Sequence, residues 1–282
     1  MVEDIFNFEK TVSRCAVVGH PIGHSQSPRI HDAFARQFGI TLDYQAIDLD
    51  PIAFEQGVHH LQAGGLLGLN VTIPFKEAAR RLADEVSERA ALAGAVNTLS
   101  FSRHGQILGD NTDGIGFMKD LERNLDSSID GAEILLIGAG GAARGIFHPI
   151  LSRDIGRLVL TNRTLSRAED LAILAKDDKV QTCAFEDISG SFDLVINATA
   201  TSLTGGLPDI SDQVFHPRSI AYDLAYSDQP TAFMRWATSA GATSAVDGLG
   251  MLVEQAAESF WIWHQKRPET GVVIDELRSG VR

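Results

Sequence analysis

The chain has 282 residues, of which 44% are hydrophobic and 22% are charged. This balance is typical of a globular protein, and at roughly 150 residues per domain the length predicts about two domains. The net charge of −13 disfavours non-specific binding to nucleic acid or to an anionic membrane, and two isolated cysteines, Cys15 and Cys183, are too few for a disulfide framework and favour a reducing, cytoplasmic location.

The N-terminal third alternates short apolar runs with segments of helical periodicity, a pattern typical of βαβ units. The acidic start at residues 1–6 does not resemble a signal peptide, and no apolar run approaches the ~18 residues that span a bilayer. Strands are predicted at 15–18, 44–47 and 68–73, with two short strands flanking a turn at 104–105. Helices are predicted at 28–38, with Ser27 as N-cap and Gly39 as the end, and at 51–62, 75–82 and 87–93.

The second half of the chain predicts a parallel sheet. A helix from Gly114 to about Leu125 precedes a compact strand at 133–137. Further strands are predicted at 158–161, 181–185, 193–197, 220–224 and 243–246, and a last long helix at about 249–264. The fold class is therefore α/β with two domains: an N-terminal, mostly parallel α/β sheet domain and a Rossmann-type domain at about 114–247. From the residues alone, the C-terminal helices could pack on either domain.

The segment directly after the strand at 133–137 fits the pattern G-x-G-x-x-(G/A) of a dinucleotide-binding loop. Its residues are Gly138, Ala139, Gly140, Gly141, Ala142 and Ala143. The first glycine permits a tight turn, the second lets the backbone approach a pyrophosphate, and the small sixth residue lets the helix lie close to the strand. The helix N-terminus would offer free N–H groups to the anion. The alternative is a close-packed βα turn without a ligand.

The end of the next strand predicts which dinucleotide binds. An NAD enzyme usually has Asp or Glu about 20 residues after the loop. Here no carboxylate occupies the position, which instead has Asn162, Arg163, Thr164 and Arg167. Two guanidinium groups and a hydroxyl suit the 2′-phosphate of NADP. The alternative is a solvated cluster at the start of a helix.

Three polar segments follow predicted strands, where ligands bind in open α/β sheets. In residues 19–28, Ser25 and Ser27 could face a polyhydroxylated ligand or serve only a cap and a turn. Residues 70–76 place Lys76 in the first turn of a helix, where a cation opposes the helix dipole; this suits acid–base chemistry, and a solvated lysine is the alternative. In residues 109–114, two acids, an amide and a hydroxyl could bind a polyol, although Asp113 could also be a simple N-cap. The histidine and cysteine spacings do not match a metal site.

Together these segments resemble the shikimate dehydrogenase family from Val17 to about Gln265. The matching motifs lie, in order, at 19–28, 70–76, 93–98, 109–114, 138–142, 162–164 and 247–252. The resemblance implies reversible hydride transfer between NADPH and the C3 carbonyl of 3-dehydroshikimate, a step of aromatic amino-acid biosynthesis. It also implies a discontinuous substrate domain at 1–113 and 248–282, an NADP domain at 114–247, and an active site in the cleft between them.

The resemblance also implies roles for individual residues. Lys76 and Asp113 would form the catalytic pair, and Ser25 and Ser27 would bind the substrate carboxylate. The ring hydroxyls would be held by Thr72, Asn97, Asp113 and Gln255, with Tyr226 contributing from the second domain. The cofactor site would comprise Gly138, Ala139, Gly140, Gly141, Ala142, Asn162, Arg163, Thr164, Arg167, Leu224 and Gly248.

Two segments depart from the family pattern. Ala200 stands within a loop where the family usually reads Asn-Ala-Thr-Ser-Gly, which predicts altered contacts on the nicotinamide side. Residues 226–231 depart from Tyr-x-Pro-x-x-Thr-Pro, which predicts a differently shaped substrate lid.

Two rival functions remain open at this point. A quinate/shikimate dehydrogenase would have relaxed substrate or cofactor use, but Asn162, Arg163 and Thr164 argue against a preference for NAD. A non-catalytic NADP-binding protein would lack Lys76 or Asp113, and both are present. The expected partner is a small-molecule substrate, shikimate or 3-dehydroshikimate, and neither nucleic acid nor a membrane. The oligomeric state is open, with a homodimer as one candidate.

Overall fold

The computed structural model describes residues 12–199, 201 and 205–280, which form two sheets of six strands each. The first sheet contains β1 (Ser13–Gly19), β2 (Leu42–Asp48), β3 (Gly68–Val71), β4 (Glu85–Val86), β5 (Thr98–Phe101) and β6 (Ile107–Asp110). Its strand order is β2-β1-β3-β5-β6-β4. β1 is parallel to β2 and β3, whereas β5 is antiparallel to β3 and β6. The tight turn between β5 and β6 reverses the chain without a crossover helix, which makes that pair antiparallel.

The second sheet is parallel throughout. It contains β7 (Glu133–Ile137), β8 (Arg157–Thr161), β9 (Val180–Thr182), β10 (Leu194–Asn197), β11 (Ile220–Asp223) and β12 (Ser244–Asp247). The strand order is β12-β11-β10-β7-β8-β9, the doubly wound arrangement of dinucleotide-binding domains. The order reverses between β7 and β10, and ligands of such sheets bind outside the carboxyl ends of the strands at that point. The predicted two-domain α/β fold with a Rossmann-type sheet is confirmed.

The helices cover the faces of the two sheets. They are α1 (Ser27–Phe38), α2 (Phe54–Ala63), α3 (Lys76–Leu82), α4 (Glu88–Ala93), α5 (Asp113–Lys119), α6 (Gly141–Leu151), α7 (Leu165–Ala175), α8 (Ala232–Ser239), α9 (Leu249–His264) and α10 (Thr270–Arg278). A short π-helix, Asp120–Asn124, continues α5. Within the described ranges, no helix is both long and apolar enough to cross a membrane.

The predicted and observed boundaries differ at two sites of functional interest. α1 begins at Ser27, with Gln26 as its N-cap, so the predicted N-cap role of Ser27 is wrong. Asp113 is likewise the first residue of α5 and not its cap. Gly39 does end α1, in a left-handed conformation with φ of 63°. The sequence departure at Ala200 lies outside the described residues.

The two C-terminal helices pack on the first sheet's side of the molecule. An apolar cluster joins α1 to α9 and α10 and includes Ile30, Phe34, Val253, Phe260 and Ile274. α9 also lies against α5 at very close range. A Cβ atom on Gly116 would lie 2.7 Å from the backbone nitrogen of Gln255, so the close approach of α5 and α9 requires glycine at position 116.

The buried His31 ring should make the protein less stable in acid. It stacks on the Tyr44 ring with centroids 4.2 Å apart, and neither of its nitrogens has a partner in hydrogen-bond geometry among the residues described. Burial lowers the pKa of His31 from 6.5 to about 3; the nearby His264 adds to this effect and the Asn70 side chain opposes it. The unfolded chain therefore binds a proton that the folded protein excludes once the pH falls below 6.5.

The contribution of the neutral His31 ring to the free energy of unfolding should therefore be fully present above pH 6.5 and should be lost as the pH falls toward 3. Between pH 7 and pH 5, His31 alone should lower the free energy of unfolding by about 2 kcal/mol. Urea titrations at the two pH values measure this change, and His31→Phe should reduce it by that amount. The same substitution at the exposed His104 should leave the pH dependence as in wild type. Equal pH dependence of wild type and His31→Phe would contradict the prediction.

Candidate active site

Lys76 and Asp113 meet at the carboxyl ends of strands in the first sheet. Lys76 begins α3 shortly after β3, and Asp113 begins α5 shortly after β6. Lys76 Nζ donates to Asp113 Oδ2 at 2.5 Å, and only 14% and 6% of the two side chains are exposed. An ammonium group has three donors, and Asp113 is its one acceptor within the described part of the chain. The Lys76 ammonium group therefore has N–H donors left for a bound ligand while Asp113 holds it in place.

A network of buried amides fixes the Asp113 carboxylate. Asn97 Nδ2 donates to Asp113 Oδ1 at 2.8 Å, and Asn111 Oδ1 accepts from the backbone nitrogen of Asp113 at 3.1 Å. The same Asn97 nitrogen lies 2.9 Å from Thr112 Oγ1 and 3.2 Å from Gln255 Oε1. Because buried polar groups in a connected network hold one another in place, these contacts fix the orientation of Asp113. Two predicted substrate ligands, Asn97 and Gln255, thus lie beside the predicted catalytic pair.

Ser25, Ser27 and Thr72 lie at the carboxyl ends of the neighbouring strands β1 and β3. Ser25 Oγ accepts from the backbone nitrogen of Ser27 at 3.3 Å, which ties the loop to the start of α1. The Thr72 backbone nitrogen donates to the carbonyl of Val18 at 3.0 Å. A Cβ atom on Gly19 would lie 2.6 Å from the Thr72 methyl group, so the glycine that ends β1 makes room for this threonine.

The glycine-rich loop connects β7 to α6, and its residue Gly140 is exposed to solvent. Gly138 has a φ of +117°, a conformation that side chains disfavour. A Cβ atom on Gly140 would meet no heavy atom within 4 Å. Gly140 is the N-cap of α6 and provides no side-chain cap, so the first N–H groups of this helix remain available to an anion. The loop residues Gly138, Ala139, Gly140, Gly141 and Ala142 therefore fit the pyrophosphate of a dinucleotide.

The end of β8 presents two exposed cations, Arg163 and Arg167. Asn162 Nδ2 donates to the carbonyl of Thr164 at 2.8 Å and shapes the turn before α7. Arg163 and Arg167 are exposed, and neither guanidinium has a hydrogen bond or ion pair to any residue that the structure describes. Two free guanidinium groups at this strand end suit a phosphate ester.

Leu224, Gly248 and Tyr226 lie at the carboxyl ends of β11 and β12. The Leu224 nitrogen donates to the carbonyl of Asn197 at 2.9 Å, and the Gly248 nitrogen donates to the carbonyl of Ala225 at 3.0 Å. Burial raises the pKa of the Tyr226 phenol, and a hydrogen bond with the Gln26 backbone opposes that rise. Tyr226 therefore reaches from the second sheet to the loop that contains Ser25 and Ser27.

The start of α6 lies directly against the Lys76–Asp113 pair. A Cβ atom on Gly141 would lie 3.5 Å from Lys76 Cβ, and one on Gly145 would lie 2.8 Å from Asp113 Cβ. A Cβ atom on Gly114 would lie 2.6 Å from the carbonyl oxygen of Gly145. The start of the dinucleotide-binding helix and the proton-bearing pair are thus direct neighbours where the two sheets meet. Sequence reasoning assigned no role to Gly145, although its spacing of four from Gly141 puts both glycines on one helix face.

Two further buried residues of the site were predicted only as the amide and the hydroxyl of a segment that could bind a polyol. Asn111 and Thr112 are 2% and 0% exposed, and they hold Asp113 and Gln255 respectively. The sequence did contain a signal for this role, because both residues lie between a predicted strand and the predicted catalytic aspartate. In the loop after β10, Thr199 Oγ1 lies 2.7 Å from Asn197 Oδ1 and 2.5 Å from Thr201 Oγ1, which orders the described part of that segment.

Family models match most of the chain. The shikimate dehydrogenase substrate binding domain matches residues 17–99, shikimate / quinate 5-dehydrogenase matches 120–204, and the shikimate 5'-dehydrogenase C-terminal domain matches 248–278. The matched segments follow the order in which the two sheets and the C-terminal helices occur.

Individual relatives agree with the family models. A protein of Methylococcus capsulatus named shikimate dehydrogenase (NADP(+)) is 50% identical over 94% of this chain and 96% of its own. The crystal structure of an Ael1 enzyme from Pseudomonas putida is 43% identical, with a TM-score of 0.87 over 94% of this chain and 98% of that one. The shikimate 5-dehydrogenase of Thermus thermophilus, solved with NADP(H) and shikimate, is 29% identical, with a TM-score of 0.85 over 95% and 100% of the two chains. The resemblance drawn from the motifs is confirmed, and the chain belongs to the shikimate dehydrogenase family.

Proposed function

We propose that this protein catalyses the reversible, NADPH-dependent reduction of 3-dehydroshikimate to shikimate. The observation that carries the proposal is the Lys76–Asp113 pair, joined at 2.5 Å, which lies against the start of the dinucleotide-binding helix α6. Near-full-length relatives named shikimate dehydrogenase (NADP(+)) support the same reaction. The chain is thus an oxidoreductase that acts on a secondary alcohol.

The chemistry requires one proton for each hydride. NADPH supplies the hydride to the carbonyl carbon, and the carbonyl oxygen then needs a proton to become the C3 hydroxyl. Lys76 Nζ donates that proton, and Asp113 holds the ammonium group in place and accepts a hydrogen bond from the substrate hydroxyl. In the oxidation direction the same nitrogen, when neutral, accepts the proton. The partial exposure of Lys76 lets it exchange protons with water between turnovers.

The remaining site residues bind and orient the substrate. Hydroxyl groups donate to carboxylates, and we assign the substrate carboxylate to Ser25 and Ser27. The ring hydroxyls can both donate and accept, which suits a set of side chains that supplies both donors and acceptors. We assign them to Thr72, Asn97, Asp113, Gln255 and Tyr226.

The residues at the carboxyl ends of the strands of the second sheet suit the cofactor. We propose that NADP is bound by Gly138, Ala139, Gly140, Gly141, Ala142, Asn162, Arg163, Thr164, Arg167, Leu224 and Gly248. Residues 114–247 would form the NADP domain, and residues 1–113 with 248–282 the substrate domain. Two free cysteines support the further proposal of a cytoplasmic location. A homodimer remains one candidate for the assembly, and sedimentation equilibrium measures it.

An absorbance assay at the nicotinamide band tests the function. Shikimate and quinate are each combined with NADP and with NAD, and the rate of nicotinamide reduction is followed. We expect the highest kcat/KM for shikimate with NADP. A folded protein that reduces neither cofactor with shikimate would overturn the proposal.

We expect shikimate to be preferred over quinate. Quinate has an additional C1 hydroxyl and a tetrahedral C1, so it is thicker beside the carboxylate that Ser25 and Ser27 would bind. Crowding of a packed site typically costs about 1–3 kcal/mol, which corresponds to roughly one to two decades in kcat/KM. The same assay measures this ratio. Equal kcat/KM on the two acids would favour the quinate/shikimate rival.

A further inference from the structure

The Arg89 guanidinium joins two largely buried carboxylates beside the proposed substrate site. Arg89 lies in α4, and its side chain is 31% exposed. Its Nε donates to Asp110 Oδ1 at 2.6 Å, and its Nη2 donates to Asp110 Oδ2 at 2.7 Å. The third nitrogen, Nη1, donates to Glu258 Oε1 in α9 at 3.4 Å. All three nitrogens of one planar group therefore hold carboxylates that come from distant parts of the chain.

Asp110 is the residue from which the segment with the proposed catalytic aspartate departs. It ends β6, shortly before Asp113. Besides the two bonds from Arg89, its Oδ1 accepts from Ser87 Oγ at 2.5 Å and from the Asn111 backbone nitrogen at 2.7 Å. Asn111 Oδ1 in turn accepts from the backbone nitrogen of Asp113 at 3.1 Å. The Asp110 carboxylate thus fixes the start of the segment that leads to Asp113.

Glu258 lies one helical turn after Gln255 on α9, so the two residues share a face of that helix. The Glu258 side chain is 5% exposed, and its carboxylate also accepts from Lys119 Nζ at 3.4 Å and from Arg267 Nη1 at 3.0 Å. Lys119 ends α5, the helix that Asp113 begins. Glu258 therefore ties the helix that carries Gln255 to both α4 and α5.

We propose that Arg89 is a positioning residue that fixes the carboxylate of Asp113 relative to the side chain of Gln255. The inference rests on the proposed function, because it concerns how the groups that would act on that substrate are held. Arg89 needs no contact with the substrate or the cofactor in this role. It acts through Asp110 on the segment that leads to Asp113, and through Glu258 on the helix that carries Gln255.

Burial and charge act in opposite directions on the two carboxyl groups. Burial alone would raise the pKa of the Asp110 carboxyl, but its hydrogen bonds, those from Arg89 above all, lower that pKa below its usual value. Burial would likewise raise the pKa of the Glu258 carboxyl, and the surrounding cations lower it. Both groups are therefore charged at neutral pH. Removal of the guanidinium would leave two buried charges short of a partner, and the segments that carry them would shift.

The variant Arg89→Met keeps an unbranched apolar stem and removes the guanidinium. We expect kcat for shikimate oxidation to fall roughly ten- to a hundredfold, because a displacement of about 1 Å at a reaction centre can cost ~10²-fold. The KM for NADP should stay unchanged, because the hydrogen bonds of Arg89 go to Asp110 and Glu258, neither of which belongs to the second sheet. Steady-state kinetics measure both parameters.

Arg157 provides the matched control. Its side chain is also 31% exposed, and its Nε donates to Glu133 Oε2 at 2.8 Å. This ion pair lies at the amino ends of β8 and β7, at the edge of the second sheet opposite the dinucleotide loop. Arg157→Met should leave kcat as in wild type. An equal loss of kcat in both arginine variants would overturn the proposal, because it would show a general effect of losing an ion pair.

Coupling to Asp113 separates positioning from a merely structural role. In an Asp113→Ala background, Arg89→Met should no longer lower kcat, because the carboxylate that Arg89 positions is gone. Full additivity of the two substitutions in kcat would overturn the proposal. So would an Arg89→Met enzyme whose kcat equals that of wild type, whatever its thermal midpoint.

A second variant tests the geometry if Arg89→Met does not fold. Arg89→Lys keeps the positive charge, but an ammonium group has no planar fork that bonds both Asp110 oxygens and Glu258 at once. We expect kcat with shikimate to fall roughly three- to tenfold, the factor that loss of one net hydrogen bond produces, and an unchanged kcat would overturn the proposal.

Wild type is assayed in parallel with every variant. If wild type itself does not oxidise shikimate, the proposed function fails and the positioning role fails with it. Normal wild-type activity together with unaffected Arg89 variants refutes the positioning role alone.

Discussion

Replacing Lys76 with alanine should lower kcat by about 10²–10⁴-fold, the usual contribution of general acid–base catalysis. Lys76 Nζ is the proton-bearing group held by Asp113 against the start of α6, and alanine has no group that can replace it. The KM for shikimate should change much less, because Ser25 and Ser27 remain in place. Steady-state kinetics in both reaction directions measure the two parameters.

A matched lysine elsewhere controls for the loss of charge. Lys179 pairs with Asp154 at 2.9 Å before the amino ends of β9 and β8, and Lys179→Ala should leave kcat unchanged. If Lys76 and Asp113 act as one unit, the double alanine variant should be little worse than the poorer single variant. A Lys76→Ala enzyme with kcat within about threefold of wild type would show that another group transfers the proton, since catalytic units lose far more. Tyr226 would then be the next residue to test.

Replacing Arg163 with alanine should weaken NADP binding by about 10–100-fold, because a charge-assisted hydrogen bond contributes roughly 1.5–3 kcal/mol. The Arg163 side chain is exposed at the end of β8 and has no protein partner in the described structure that would compete for it. NAD lacks the 2′-phosphate, so the weak use of NAD should be almost unaffected. Fluorescence titration with each reduced cofactor measures both affinities.

Arg218 provides the control for this experiment. It is exposed in the same half of the molecule but precedes the amino end of β11, at the edge of the sheet opposite the loop. Arg218→Ala should leave both cofactor affinities unchanged. Equal losses for NADP and NAD in Arg163→Ala would refute the assignment of Arg163 to the 2′-phosphate.

The parts of the site that follow strand ends could be predicted from the sequence. The apolar run at 133–137 and the glycines after it define β7 and the loop by local pattern alone. Lys76 and Asp113 are separated by 37 residues, yet each follows a strand of one sheet, so their approach was foreseeable. The cofactor preference could be predicted in the same way, because the absence of a carboxylate near Arg163 is visible in the sequence.

The rest depends on contacts that no local pattern contains. α1 begins at Ser27 and not after it, and Ser27 is only 5% exposed. The π-helix at Asp120–Asn124 interrupts a helical pattern predicted to continue to Leu125, and Asp120 there accepts from Tyr222 across 102 residues. Tertiary partners of this kind override local preference, and they are fixed only once the two sheets have packed.

The glycine contact between α5 and α6 has an evolutionary consequence. A Cβ atom on Gly114 would lie 2.6 Å from the Gly145 carbonyl oxygen, and one on Gly145 would lie 2.8 Å from Asp113 Cβ, so the spacing between the proton-bearing pair and the dinucleotide loop depends on glycine at both positions. A larger residue at either position would push α5 and α6 apart. The changed distance between the dinucleotide loop and the proton-bearing pair would then affect the reaction of every substrate. We therefore expect divergence toward other cyclic polyols to change residues outside this contact, such as Ser25 and Tyr226, while positions 114 and 145 stay glycine.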